Sequence, residues 1–299
     1  MRPLNLSKAL FLLFLPMLFV TGSLADPSPL PGISQTCIKI AHKLSSVKYS
    51  ECQKRHLSLS GGRSVDNTPI LIKEYPPLPS RQPLGRVLLL GGIHGDEYSS
   101  VTISFKWMRI LDQYHSGLFH WHVVPLVNPD GLLRPHSQRM NEHGVDLNRN
   151  FPTPNWEKAS SDYWVNRTHR NPRRYPGPEP LSEPESLWLT KEIETFKPDV
   201  IVSIHAPYGI LDFDGPRKAP TKLGHLYLNL LGTYPGSLGN YAGVVNHIPV
   251  ITIELPSAGV MPSDSEIDRI WMDLVQWLRT NIKRQPIQAD NPTDQTEPS

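Results

Sequence analysis

The sequence predicts an α/β fold in which a central, mostly parallel or mixed sheet is flanked by helices. Three observations lead there. Residues 86–90 (RVLLL), 199–204 (DVIVSI) and 250–254 (VITIE) are apolar runs with almost no polar break, as expected of strands buried on both faces. Stretches with helical spacing separate these runs, and such alternation is the pattern of helices packed on both sides of a sheet. The chain has 299 residues, 38% of them hydrophobic and 19% charged, which is enough apolar material for one such domain and too little for a bundle of membrane helices.

The elements are taken in chain order. Residues 1–25 hold Arg2 and Lys8 before an apolar run that ends at Ser23-Leu24-Ala25, which reads as a secretory signal peptide cut after Ala25. Its apolar run of about a dozen residues is short of the roughly 20 that a spanning helix needs. The mature protein is therefore expected to be exported, to periplasm or extracellular medium, with no stable membrane insertion. Residues 26–59 form an N-terminal segment: a Pro-rich leader, then a short helix or helical hairpin over 34–56. This segment carries the chain's two cysteines, Cys37 and Cys52, whose pairing suits an oxidising compartment.

A catalytic domain is expected over residues 60–284. Strands are predicted at 68–74, 86–90, 120–127, 199–204 and 250–254, and helices at 97–113, 183–196, 221–231 and 264–282. The Pro-, Arg- and Asn-rich stretch 128–184 reads as surface loops beside a site. The polar tail 285–299 reads as disordered. Thirty Lys and Arg against 28 Asp and Glu leave a formal charge of +2, which gives no electrostatic case for nucleic acid as a partner.

In an open α/β sheet, ligands bind beyond the carboxyl ends of the strands, so polar residues at those ends come first. RVLLL runs through Gly91-Gly92-Ile93 into His94-Gly95-Asp96-Glu97, DVIVSI ends at His205, and VITI ends at Glu254. The spacing of His94 and Glu97 lets one tight turn present a nitrogen and an oxygen to one ion; His205 completes a His₂Glu set with a fourth position open, the arrangement of catalytic zinc. Asp96 is the candidate for orienting a ligand histidine. A carboxylate at the end of a buried strand is costly unless paired or near a metal, which makes Glu254 the candidate base. Arg139 and Arg149 are candidate anion clamps, one for an oxyanion and one for a substrate carboxylate. The other ten histidines, His120 and His122 among them, are read as surface or packing residues.

GGIHGDE, the NPDG turn, GVDLNRNF, the strand-final SIH and the ITIE strand end together resemble the zinc metallocarboxypeptidase family; HGDE, GVDLNRNFP, LSEPE and YPGSLGNYAG resemble its murein peptide amidase branch. The resemblance implies an eight-stranded mixed sheet and one Zn²⁺ per chain at His94, Glu97 and His205. It further implies Glu254 as general base and acid, Arg139 as oxyanion donor, and Asn148 with Arg149 at the substrate's terminal carboxylate. The implied reaction is hydrolysis of the C-terminal amide of a short peptide, the bond between γ-D-glutamate and meso-diaminopimelate in peptidoglycan-derived peptides.

The sequence departs from digestive carboxypeptidases in the span from His205 to Glu254, which shortens the loop that carries their mobile tyrosine. Tyr234 and Tyr241 are both candidates to replace it. Arg167, Arg170, Arg173 and Arg174 read as a solvated loop, with attraction of acidic muropeptides as the alternative. Two further readings are a deacylase of N-acyl amino acids similar to aspartoacylase or succinylglutamate desuccinylase, and a zinc-free peptidoglycan-binding protein.

Overall fold

A computed structural model describes residues 31–282. The signal-peptide reading of 1–25 and the tail reading of 285–299 lie outside the described residues. Two short helices, α1 (Pro31–Lys43) and α2 (Tyr49–Lys54), are joined by the Cys37–Cys52 disulfide. There follow β1 (Ser58–Arg63), β2 (Pro69–Tyr75), β3 (Arg86–Leu90), α3 (Tyr98–Tyr114), β4 (His120–Val124), α4 (Pro129–Leu133) and α5 (Trp156–Asp162). The chain continues through α6 (Pro184–Phe196), β5 (Val200–His205), β6 (Ile210–Asp214), β7 (Lys222–Leu223), β8 (Leu226–Tyr227), β9 (Val250–Glu254) and α7 (Asp264–Asn281). Among the described residues no helix is long and apolar enough to cross a membrane.

The main sheet has the order β1-β2-β4-β3-β5-β9-β6, seven strands where the resemblance implies eight. Its centre is parallel: β4, β3, β5 and β9 run in one direction, while β1, β2 and β6 pair antiparallel at the two sides. From β3 the chain crosses to β4 on one side, and the later strand β5 lies on the other. That reversal opens a crevice at the carboxyl ends of β3 and β5, where α/β sheets place their ligands.

The unbroken apolar runs follow from burial on both faces. Val87, Leu89, Val202 and Ile253 pack with α1, α3 and α7, while Leu88, Leu90, Ile201 and Val250 pack with Trp188, Leu189 and Ile193 of α6. The N-terminal segment is part of this architecture: Ile33, Ile40, Leu44 and both half-cystines belong to the first of these two cores.

Two sequence expectations fail. Residues 221–231 are not a helix: Gly224, at φ +58°, turns the chain between β7 and β8, pairing Leu223 with Leu226. The leucines recur at helical spacing, but the turn requires the left-handed backbone that glycine adopts without steric penalty. The reading of 128–184 as surface loops fails only in part, since most of that stretch lies outside helices and strands and several of its residues border the site. The stretch contains α4 and α5, and Asn128, Asn141, Asp146 and Asn150 within it are all fully buried. Strands β1 and β6 have no counterpart in the sequence reading.

The disulfide closes a loop of 15 residues, which by chain entropy is worth about 3 kcal/mol. The Cys37→Ser/Cys52→Ser variant is therefore expected to lose about 3 kcal/mol of stability in urea unfolding while keeping its activity at 25 °C.

Candidate active site

The turn after β3 brings its two acid-base groups to one point. Glu97 donates its N–H to the carbonyl of His94 (3.3 Å), and His94 Nδ1 lies 2.7 Å from Glu97 Oε1. Gly95 makes the turn possible, because a Cβ there would fall 2.1 Å from the carbonyl carbon of Gly131. That close approach locks the HGDE turn onto the NPDG turn. Asn128 completes the lock: Oδ1 accepts from Gly131 N–H at 2.9 Å, and Nδ2 donates to the carbonyls of Ile93 and Arg139.

His205 ends β5 directly opposite Glu254 at the end of β9. Its Nδ1 is 3.1 Å from His94 Nδ1 and 3.2 Å from Glu97 Oε2, while Nε2 faces Ser203 Oγ at 2.9 Å. Two imidazole nitrogens turned toward each other beside a carboxylate make a donor set for a cation. Tetrahedral zinc bonds nitrogen at about 2.0–2.1 Å, which separates two such donors by about 3.3 Å, close to the spacing present here. All three side chains are buried. Burial alone would raise the Glu97 carboxyl, but His94 and His205 beside it hold it below the ordinary carboxylate range. The positive end of α3, which begins at the next residue, adds to this.

Asp146 has the role that the sequence reading assigns to Asp96. Its Oδ1 is 3.2 Å from His94 Nε2, and its Oδ2 accepts from Arg139 Nε at 2.9 Å. Burial opposes the Asp146 charge, but Arg139 and His94 keep the carboxyl well below its ordinary value. Asp96 turns the other way, accepting from Arg173 at 2.6 Å. Nothing in the local sequence separates the two aspartates; only the folded chain brings residue 146 beneath residue 94.

Arg139 is held by Asp146 with its Nη1 atom 3.1 Å from His94 Nδ1 and 3.6 Å from Glu97 Oε1, so it borders the candidate metal ligands. Arg149 is also buried: its Nη1 donates to the Asn148 carbonyl, and its guanidinium lies over the Tyr234 ring at 4.6 Å. Arg149 Nε is buried without a hydrogen-bond partner, and burial lowers the pKa of the group. A desolvated donor of this kind fits an anionic ligand. Asn148 accepts from Leu238 N–H at 2.8 Å, tying GVDLNRNF to the YPGSLG loop. Glu254 Oε2 is likewise buried and unpartnered; burial raises its carboxyl above the ordinary value despite His205 nearby.

These groups line one cavity of about 320 Å³, together with Tyr234, Arg173, Arg174, Asp212 and Asp214. Tyr241 is instead buried against Phe151, so of the two candidate tyrosines only Tyr234 faces the cavity. Two of the four loop arginines reach it as well. Asp212 and Asp214 come from β6, which the sequence reading missed; the signal was the alternation Ile-Leu-Asp-Phe-Asp, which places both carboxylates on one face of a strand. The LSEPE motif is structural: Glu183 and Glu185 both accept from Asn141, which in turn holds Val145 next to Asp146.

Fold and site define a zinc carboxypeptidase: residues 53–211 match that family, and the chain belongs to it. It is a hydrolase of this class. Murein peptide amidase A of Escherichia coli K12 is 33% identical over 230 residues, which cover 74% of this chain and 89% of the relative. The same-named protein of Vibrio campbellii is 31% identical over 66% of this chain and 78% of its own. The crystal structure of murein-tripeptide amidase from E. coli O157 superposes with a TM-score of 0.52 at 28% identity, covering 79% of this chain and 97% of that one. Carboxypeptidase A of Helicoverpa armigera shares the fold at a TM-score of 0.57 and 17% identity, over 75% of this chain and 68% of its own.

Because Asp146 orients both His94 and Arg139, Asp146→Asn should weaken zinc binding by about 10- to 100-fold. Competition against a chromophoric chelator measures this, and an unchanged zinc affinity would show that the carboxylate does not support the ligand set.

Proposed function

We propose that this chain is an exported zinc peptidase that removes the C-terminal residue of short peptides, and that its substrates are peptidoglycan-derived peptides ending in γ-D-glutamyl-meso-diaminopimelate. The observation that carries this reading is the one cavity joining His94, Glu97 and His205 to a buried arginine whose Nε has no partner and to a pair of aspartates. The names of the relatives point to the same substrate class. Export rests on the N-terminal sequence and accords with the disulfide.

His94 Nδ1, His205 Nδ1 and the Glu97 carboxylate would hold one zinc ion per chain. Bound there, zinc supplies Lewis-acid activation of the scissile carbonyl and of the attacking water. Glu254 takes the proton of that water on its unpartnered oxygen and returns it to the leaving amine. Arg139, fixed by Asp146, donates to the oxyanion as charge develops on the carbonyl oxygen. Arg149 Nε and Asn148 receive the terminal carboxylate, with Tyr234 stacked beneath the guanidinium.

Diaminopimelate ends in an ammonium and a second carboxylate, and the cavity offers partners for both. Asp212 and Asp214 match the ammonium; Arg174 matches the carboxylate. Burial, and then Asp212, push the Asp214 carboxyl up to about 6, so it is charged at neutral pH and loses its charge as the pH falls through that value.

Two outcomes follow. Glu254→Gln should bind zinc normally but lose about 10²- to 10⁴-fold in kcat; normal turnover by that variant would remove Glu254 from the reaction. Asp214→Asn should lower the preference for peptides ending in diaminopimelate over those ending in norleucine by about 10- to 100-fold, the size of a lost charge-assisted hydrogen bond. In the native enzyme that preference should decline below pH about 6 as Asp214 protonates, and in the variant, which keeps only Asp212, this decline should be smaller. A preference ratio that is the same in both proteins at every pH would exclude Asp214 from substrate selection.

A further inference from the structure

The start of β4 carries a second pair of histidines, at the end of the sheet opposite the catalytic cavity. His120 and His122 are two residues apart on the strand, so the pleat places both imidazoles on one face. Glu74 of β2 lies directly across from His122 in the antiparallel register. Its Oε1 is 2.8 Å from His120 Nε2 and 3.8 Å from His122 Nε2. One donor atom from each of the three residues lies within 4.8 Å of the others.

The far side of His122 is as organised as the near side. Its Nδ1 lies 2.6 Å from Glu192 Oε1 on α6, and Phe196 of the same helix stacks on the ring at 3.7 Å between centroids. The carboxylate on Nδ1 orients the ring so that Nε2 faces Glu74. Outer carboxylates orient metal-ligating histidines in this way. Arg86 is directed to the Phe196 carbonyl at 3.1 Å.

We propose that His120, His122 and Glu74 form a second metal site, with Glu192 as its outer support, that takes a borderline divalent ion such as zinc. Two imidazoles and a carboxylate suit zinc or copper better than calcium or magnesium, which prefer oxygen donors. Such an ion would tie β2 to β4 and, through Glu192, to α6. It would lie away from the reaction and leave the catalytic ion undisturbed.

The test is a count of zinc bound per chain. The full-length protein is stripped with chelator, loaded with excess zinc and passed through a desalting column, then compared with the His120→Gln/His122→Gln variant. The wild type should hold one equivalent more than the variant, and the two should have equal peptidase activity, which also reports that the variant is folded. Glu74→Gln, at a half-exposed position, should show the same loss if the double variant does not fold. Glu192→Gln should keep the extra equivalent but bind it about 10- to 100-fold more weakly. Equal zinc content in the wild type and in both ligand variants would overturn the proposal. Because the result is a difference, it does not depend on whether the catalytic site fills.

Discussion

Glu97 and Asp146 are carboxylates held out of water within one cluster, and leaving either without a partner would cost several kcal/mol. The surrounding groups match that demand. His94 contacts both acids, one through each ring nitrogen, and Arg139 spans the same two acids. His205 closes the set from the neighbouring strand. Geometry and charge therefore depend on each other here: the imidazoles face one point because the Asp146 carboxylate holds the His94 ring and the Ser203 hydroxyl the His205 ring, and the acids stay ionised because Arg139 and the imidazoles converge on them.

The fold supplies the convergence. Three parallel strands end at one edge, and the reversal of strand order at β3 opens the crevice between them. Backbone contacts then carry that precision into segments with little regular structure. The 91–97 turn is locked to α4 through Asn128, residues 141–146 are held by the glutamates of LSEPE, and residues 148–151 are pinned by the YPGSLG loop. Motifs that carry no chemistry of their own thus determine where Asp146, Asn148 and Arg149 point.

The sequence exposes some of this and hides the rest for identifiable reasons. RVLLL, DVIVSI and VITI are legible because both of their faces are buried, and His94, Glu97, His205 and Glu254 because polar residues at the ends of such strands are conspicuous. Asp146 is not legible as a support, since its partner His94 is 52 residues away, whereas Asp96 sits beside that histidine in the chain. The β6 aspartates are hidden because alternating acidic residues resemble a loop until the neighbouring strand is in place. The leucines of 223–230 mimic helical spacing, and the backbone turn at Gly224 overrides that pattern. The buried part of 128–184 is invisible for a related reason: polar side chains such as Asn150, which holds the Pro176 and Glu179 carbonyls, the Ser182 hydroxyl and the Glu183 N–H, read as surface until their partners are known.

One zinc ion is expected between the facing nitrogens of His94 and His205 and the carboxylate of Glu97, in the cavity that Arg149 also lines. Anomalous diffraction at the zinc edge from crystals of the purified chain tests it most directly. A strong peak is expected about 2.0–2.1 Å from His94 Nδ1 and from His205 Nδ1, with Glu97 in contact and Glu254 outside the coordination sphere. A zinc-loaded crystal with no peak at that point, or with the ion bound through the Nε2 atoms instead, would contradict it.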